Sequence, residues 1–173
     1  SDEARERLDD AYPVIIHALL AHQAQQQLAN TALPRLITLL EAICRRSIYL
    51  VMIAENPNAT IELIPMLSAS PWIAKELAHY PVLLDTFLQQ RYRHLPDKPE
   101  LRDILRQQLL RVEPNDEEEL LSVLRLFKKN QVLAVAASDV LAERPIMKVS
   151  DSLTYIAAVV LEAALERAFA EIV

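Results

Sequence analysis

The strongest periodic pattern in the sequence lies in residues 31–57, TALPRLITLLEAICRRSIYLVMIAENP. Residues spaced by three and four form a largely apolar stripe along it: Leu33, Leu36, Ile37, Leu40, Ile43, Cys44, Ser47, Ile48 and Val51. This spacing places them on one face of an α-helix. Thr31 is a suitable N-cap, Pro34 falls within the first turn, and Asn56-Pro57 predicts the end. We therefore predict one long helix here, with its apolar face in the core.

The chain contains no glycine, and this excludes several enzyme classes. Walker loops, dinucleotide-binding fingerprints, glycine-rich kinase loops and nucleophile elbows all need glycine where the backbone approaches a ligand or takes a positive φ. Leucine and alanine dominate the composition, and both favour helix over strand. The composition therefore predicts an all-α protein and indicates no reaction.

Length and charge narrow the class of protein further. A chain of 173 residues has the size of one domain, which can bury a core without a metal or a disulfide. The net charge of −6, with acids and bases interspersed, argues against nucleic acid or an anionic membrane as a partner. The apolar runs are far shorter than the ~20 residues needed to cross a bilayer. With one cysteine and no secretory-signal pattern, we expect a cytoplasmic protein.

Prolines, capping residues and periodicity predict the other helices. The first predicted helix covers residues 2–27 and is bent or divided at Pro13, and three short helices start at Asn58, Ser70 and Tyr80-Pro81. A loop over 89–99 and a helix over 99–112 follow. The next helix is capped by Asn115, has Glu118 in the capping-box position and runs to Ala142; after a break at Pro145, a final helix capped by Ser150 or Asp151 runs almost to Val173. The predicted fold class is therefore an all-α bundle of long and short helices, in a single domain over residues 1–173.

The predicted core takes apolar residues from most of these helices. Its members are Leu36, Leu40, Ile43, Trp72, Leu84, Leu105, Leu124, Phe127, Ile156 and Val160, with Phe87 and Tyr155 as further aromatic anchors. On the final helix, the residues expected to face inward are Leu153, Ile156, Ala157, Val160 and Ala164.

Candidate metal ligands and nucleophiles have structural explanations. His17 and His22 are five residues apart, which is not the helical spacing of metal ligands. Cys44 lies on the apolar stripe and is interpreted as a small hydrophobic residue. The acids at 116–119 suit the first turn of a helix better than a magnesium site, since the sequence contains no Asp-x-Asp pair.

A basic cluster is the clearest candidate for contact with a partner. Arg125, Lys128 and Lys129 are spaced as i, i+3 and i+4 on a predicted helix, and could meet an acidic partner or a phosphate. The alternative is that they pair with the preceding acids Glu118 and Glu119, or face water. Both interpretations remain open at this point.

Three stretches resemble one known family when they are considered together. They are SPWIA (70–74) continuing into HYPVLLD (79–85), LRLFKK (124–129) followed by AASD (136–139), and PIMKVSD (145–151) followed by LTYIA (153–157). They are similar in order and spacing to the helical region that precedes the second nucleotidyltransferase domain of glutamine synthetase adenylyltransferase. That family comprises bifunctional enzymes that attach AMP to glutamine synthetase and remove it.

The resemblance implies that this segment of the enzyme is not catalytic. In the family, a glycine-serine turn followed by an Asp-x-Asp pair holds Mg²⁺ and nucleotide phosphates, and this sequence has neither element. No catalytic, cofactor or metal residue is therefore carried over, and Mg²⁺ and ATP are expected only for the parent enzyme. We expect the chain alone to transfer no AMP.

Two hypotheses follow for function. In the first, the chain is a non-catalytic helical module whose partners are the adjoining nucleotidyltransferase domain, glutamine synthetase and the PII signal protein. Arg125, Lys128, Lys148 and Asp151 are then the candidate contacts, because residues 147–151 are expected to form a short connection leading into the last helix. In the alternative, the chain is a free-standing helical module that binds a protein partner.

Overall fold

The computed structural model describes residues 2–21, 26–44, 46–113, 115–142 and 144–172. Its helices are α1 (Asp2–Ala21), α2 (Gln26–Ile43), α3 (Ser47–Glu55), α4 (Pro57–Ala69), α5 (Pro71–His79), α6 (Leu83–Leu88), α7 (Lys98–Leu109), α8 (Glu117–Ala142) and α9 (Ile146–Ile172), with a 3₁₀ turn at Arg91–Arg93. No strand occurs in these ranges, so the predicted all-α bundle is confirmed. Among the described helices, none combines the length and apolarity needed to cross a membrane.

The helix predicted from the opening stretch is divided in the structure. α2 ends at Ile43, α3 begins at Ser47, and the predicted N-cap Thr31 and Pro34 both lie inside α2. The break follows from packing, because α2 packs mainly on α4 and α5, whereas α3 packs mainly on α1. One straight helix could not pack against both sets of helices at once. The tertiary contacts therefore break the helix although the periodic pattern of the sequence is continuous.

The termini of the short helices follow their prolines and caps. Ser70 is the N-cap of α5 as predicted, with its hydroxyl oxygen accepting a hydrogen bond from the Ile73 N–H at 3.3 Å and Pro71 in the first turn. α4 begins one residue before the predicted Asn58, and α6 begins at Leu83, just after the predicted Tyr80-Pro81 start. α1 continues through Pro13 as one helix.

α7 starts with a capping box that the sequence analysis missed. The Asp97 carboxylate accepts a hydrogen bond from the Glu100 N–H at 2.9 Å, and the Glu100 carboxylate accepts one from the Asp97 N–H at 3.0 Å. This reciprocal pair satisfies two N–H groups that the helix leaves without partners. The helix then ends at Leu109, before the predicted end at Val112, and the predicted loop contains the 3₁₀ turn.

The starts of the two long helices correct the predicted caps. At α8, Asp116 and not Asn115 caps the helix, since its carboxylate accepts a hydrogen bond from the Glu119 N–H at 2.8 Å. α9 begins at Ile146, so the predicted caps Ser150 and Asp151 lie within the helix. The Pro145 carbonyl accepts a hydrogen bond from the Lys148 N–H at 2.8 Å, which starts the helix directly after the proline.

Two apolar clusters form the core, and α8 contributes to both. The larger cluster joins α1 to α6 with Leu133, Ala134 and Ala137 of α8. The smaller one joins α7, α8 and α9 through seven buried residues: Leu101, Leu105, Leu124, Phe127, Val135, Ile156 and Val159. α8 therefore connects the two halves of the bundle.

Most of the predicted core is buried, but the aromatic predictions are partly wrong. Trp72 is 43% exposed and Tyr155 is also exposed, whereas Phe87 and Phe127 are fully buried. Leu40 and Val160 are only partly buried at the edges of the clusters. Trp72 follows Pro71 in the first turn of a nine-residue helix whose buried side is formed by Ile73, Ala74 and Leu77, so its side chain lies outside that stripe.

Candidate functional site

The titratable residues weighed as ligands or nucleophiles are dispersed. No group of three or more histidine, cysteine, aspartate or glutamate side chains is placed to hold a metal ion in the described ranges. The Cys44 thiol is partly buried and donates to the Glu41 carbonyl at 3.2 Å. His94 lies on the surface with Nε2 3.8 Å from a Glu100 carboxylate oxygen, and His22 lies outside the described residues.

The three residues of the predicted basic cluster have different surroundings in the structure. Lys129 turns toward α5, where its Nζ lies 2.6 Å from Glu76 Oε2 and 4.1 Å from the centre of the Tyr80 ring. It thereby joins α8 to α5, so of the open alternatives neither pairing with Glu118 or Glu119 nor contact with water alone describes this residue. Arg125 and Lys128 are exposed and form no ion pair with another described residue. These two cations remain candidates for a partner contact.

Lys148 and Asp151 are exposed in the first two turns of α9. The predicted connection at 147–151 is wrong, because Pro145 is followed at once by helix. Lys148 lies near the α8–α9 corner, whereas Lys128 lies about 20 Å along the α8 axis from that corner. The four predicted residues therefore form two separate pairs, Arg125 with Lys128 and Lys148 with Asp151.

α9 carries a second apolar face that the sequence analysis missed. One side, with Ile156 and Val159, is buried against α7 and α8. The opposite side, which we call the α9 outer face, comprises exposed residues one to several turns apart: Met147, Ala157, Leu161, Leu165 and Phe169. Leu161 is 62% and Phe169 65% exposed. Ala157 and Leu153, predicted to face inward, are exposed as well.

An outer face of this kind is unusual on a surface helix. Surface helices normally present charged and polar residues to water, and a helix that is apolar on two sides normally lies between two partners. The charged residues of α9 are Lys148, Asp151, Glu162, Glu166, Arg167 and Glu171, and none of them falls in the sector that contains Ala157, Leu161 and Leu165. The α9 outer face is thus a candidate surface for a protein contact.

An ion-pair cluster fixes α9 against α7. The Glu162 carboxylate accepts hydrogen bonds from Lys98 Nζ at 2.7 Å and from Arg102 Nη2 at 2.6 Å. These hydrogen bonds, that of Arg102 first and that of Lys98 next, lower the pKa of Glu162 below its ordinary value. A groove of about 400 Å³ opens beside this cluster, between α7 and α9, with Leu105 and Val159 in its wall. The cluster holds the orientation of α9, and with it the direction of the outer face.

Comparison with known proteins agrees with the resemblance seen in the sequence. The family model for glutamate-ammonia ligase adenylyltransferase matches residues 60–173. The chain is 49% identical over 171 residues to a protein of Acinetobacter baylyi, 43% identical over 168 to one of Hahella chejuensis, and 41% identical over 167 to one of Pseudomonas syringae. Each is named a bifunctional glutamine synthetase adenylyltransferase/adenylyl-removing enzyme.

The matches cover nearly all of this chain and a small part of each relative. They span 99%, 96% and 96% of this chain, but 18%, 17% and 16% of the respective relatives. The chain thus matches one segment of proteins that are several times longer. By its family match over residues 60–173 and its similarity to these relatives, the chain belongs to the glutamate-ammonia ligase adenylyltransferase family.

Proposed function

We propose that this chain is a non-catalytic helical module of a bifunctional glutamine synthetase adenylyltransferase, and that it holds a neighbouring nucleotidyltransferase domain in place. The α9 outer face is the observation that carries this proposal. A two-sided apolar helix is stabilised when both sides are covered, and the bundle covers only one. In the longer relatives, the remaining chain supplies ample protein to cover the other.

The described residues support a structural role over a catalytic one. Nucleotidyl transfer needs clustered carboxylates, metal ions and backbone donors close to the phosphates. The acids of this chain instead cap helices, as Asp97 and Asp116 do, or join them, as Glu76 and Glu162 do. Mg²⁺ and ATP would accordingly bind elsewhere in the parent enzyme.

The polar contacts of the module belong to the same proposal. Lys148 and Asp151 flank the first turns of the outer face, and Arg125 with Lys128 offers a second, basic contact. A neighbouring domain on the outer face would lie beside the first pair. Glutamine synthetase and the PII signal protein are the proposed partners of the parent enzyme, which we place in the cytoplasm.

The test introduces a charge into the outer face. Leu165→Asp in the full-length adenylyltransferase should lower the rate of AMP transfer to glutamine synthetase several-fold, because a carboxylate buried at a domain contact has no partner. The same change in the 173-residue chain should leave its unfolding midpoint nearly unchanged, since Leu165 is exposed there. Lys148→Glu in the same assay tests the polar contact.

The matched control is Leu33→Asp, which makes the same change at an exposed leucine of α2. It should preserve AMP transfer. Equal activity of the Leu165→Asp and Leu33→Asp enzymes would overturn the proposal. Loss of binding to a separately produced protein, with AMP transfer intact, would favour the alternative of a free-standing interaction module.

A further inference from the structure

A second groove lies between α2 and α5 and has basic side chains in its lining. It encloses about 470 Å³ and has alanine side chains in its wall, at Ala42, Ala74 and Ala78. Among the described residues that line it, the charged and titratable ones are Arg35, Lys75 and His79, and none is a carboxylate. In a chain with a net charge of −6, a groove whose described lining contains basic side chains and no acidic one requires explanation.

Arg35 is held in a fixed orientation at this groove. Its Nη1 donates to the Ser68 carbonyl at 2.8 Å and to the Leu67 carbonyl, both at the end of α4. The N–H groups on Nε and Nη2 have no hydrogen-bond partner among the described residues. Such an edge of a guanidinium has the fork geometry that binds carboxylate or phosphate oxygens in pairs.

Lys75 adds a second positive charge to the groove, and the His79 imidazole lies beside it on α5. They are one helical turn apart and both exposed, and neither forms an ion pair with another described residue. The neighbouring carboxylate, Glu76, is already engaged by Lys129 at 2.6 Å. The charge of Lys75 is therefore available to a ligand.

We propose that the α2–α5 groove binds a small molecule carrying two or more oxyanion charges. Its volume lies within the range typical of small-molecule sites, and the alanine side chains leave room for the body of a ligand. The first turn of α5, at Pro71, also borders the groove, so the positive end of its helix dipole adds to the charge. A phosphate monoester and a polycarboxylate share this chemistry. The site is independent of the α9 outer face.

The test follows the backbone amides of the ¹⁵N-labelled 173-residue chain by NMR. Inorganic phosphate and citrate are titrated separately at constant ionic strength, so that the two sources of oxyanion are distinguished. Saturable shifts centred on Thr38, Ala74 and Ala78 with either probe would support the site, and the probe that binds more tightly identifies the ligand class. Shifts that spread over all basic surfaces, or no saturation with either probe, would overturn it.

Charge reversal at matched positions tests the proposed residues. Lys75→Glu should weaken binding of the active probe by about tenfold, whereas Lys128→Glu, with the same change in net charge on α8, should weaken it less than about twofold. His79→Ala should weaken binding without adding a negative charge, and it keeps the test available if Lys75→Glu fails to fold. Equal affinities of the Lys75→Glu and Lys128→Glu chains would exclude the groove.

Discussion

Glu162 shows how a surface carboxylate of this chain contributes to structure at the scale of one residue. It receives one hydrogen bond from Arg102 and one from Lys98, both on α7, although it stands on α9. A single exposed ion pair contributes little to stability, but two cations on one carboxylate hold two helices in register. The geometry is therefore more informative about the position of α9 than about the strength of the bundle.

The pH dependence of unfolding should reveal this cluster. Hydrogen bonds from Arg102 and Lys98 lower the folded-state pKa of Glu162 below its unfolded value. The contribution of Glu162 to the free energy of unfolding is then present in full above the unfolded pKa, and is lost as pH falls through the folded-state pKa. Glu162→Gln should thus lower the thermal midpoint slightly at neutral pH, and the difference from the natural chain should vanish once the pH falls below the lowered folded-state pKa of Glu162.

Glu166→Gln is the control for this measurement, because Glu166 forms no ion pair with another described residue. It changes the same charge on the same helix and should have a smaller effect at neutral pH. A difference between the Glu162→Gln and natural chains that grows as the solution is acidified would contradict the assigned pairing.

The break between α2 and α3 is the most informative feature at the scale of one element. Arg46 occupies the N-cap position of α3 with φ −126° and ψ 89°, and its side chain makes no capping hydrogen bond. Aspartate at an N-cap accepts a hydrogen bond from the first turn and interacts well with the helix dipole. Inside a continuous helix, aspartate in place of arginine is unfavourable.

Arg46→Asp therefore distinguishes a broken helix from a continuous one. With the break in place, the substitution should raise the free energy of unfolding by about 0.5 to 2 kcal/mol, as measured by urea denaturation. Arg46→Ala is the control, since it removes the arginine without supplying a cap. Destabilisation by aspartate relative to alanine would mean that α2 and α3 form one helix.

The same break shows how far the sequence predicts this fold. Proline and capping residues placed most helix ends within a few residues, as at Ser70 and Pro57, because those signals act locally. The division at Cys44–Arg46 has no proline or glycine and depends on which neighbours each half meets. Asp97 and Glu100 do carry a capping-box signal in the sequence, since they lie three residues apart before the apolar positions of α7.

The candidate site was predicted less well than the fold. Spacing identified Arg125 and Lys128 as neighbours on one face, but it could not separate Lys129, whose partner Glu76 is 53 residues away. Periodicity placed Ile156 correctly on the buried side of α9, but it assigned the exposed Leu153 and Ala157 to that side as well, since both sides contain apolar residues at helical spacing. The signal that could have revealed it is the near absence of charge over a broad sector of α9 around Leu161 and Leu165.

At the scale of the whole molecule, α8 makes the two apolar clusters interdependent. Phe127 of α8 is buried in the cluster with α7 and α9, and Leu133 is buried in the cluster with α1 to α6. A disturbance at either end of this helix should therefore reach the other cluster. The only tryptophan, Trp72, is largely exposed on α5, whose neighbouring residues Ile73, Ala74 and Leu77 belong to the larger cluster, so its fluorescence follows the unfolding of that helix.

Phe127→Ala should destabilise both halves together. Removing this fully buried ring should cost about 3 to 5 kcal/mol, and the urea midpoint seen by Trp72 fluorescence should fall as far as the midpoint seen by circular dichroism. Leu161→Ala, at an exposed position of α9, should change the free energy of unfolding measured by either probe by less than about 0.5 kcal/mol. A Trp72 transition that stays in place while the helical signal shifts would show that the clusters unfold independently.

Because α8 follows α1 to α6 in the chain, the larger apolar cluster can be completed only late in the synthesis of this segment. Helices α1 to α6 leave the ribosome first, but the residues that close their cluster, Leu133, Ala134 and Ala137, follow Tyr92 by about 40 residues. Until those residues emerge, the nascent chain exposes the apolar surface that they cover in the finished bundle. We therefore expect the α1–α6 half of the bundle to be more prone to aggregation while α8 is still being translated.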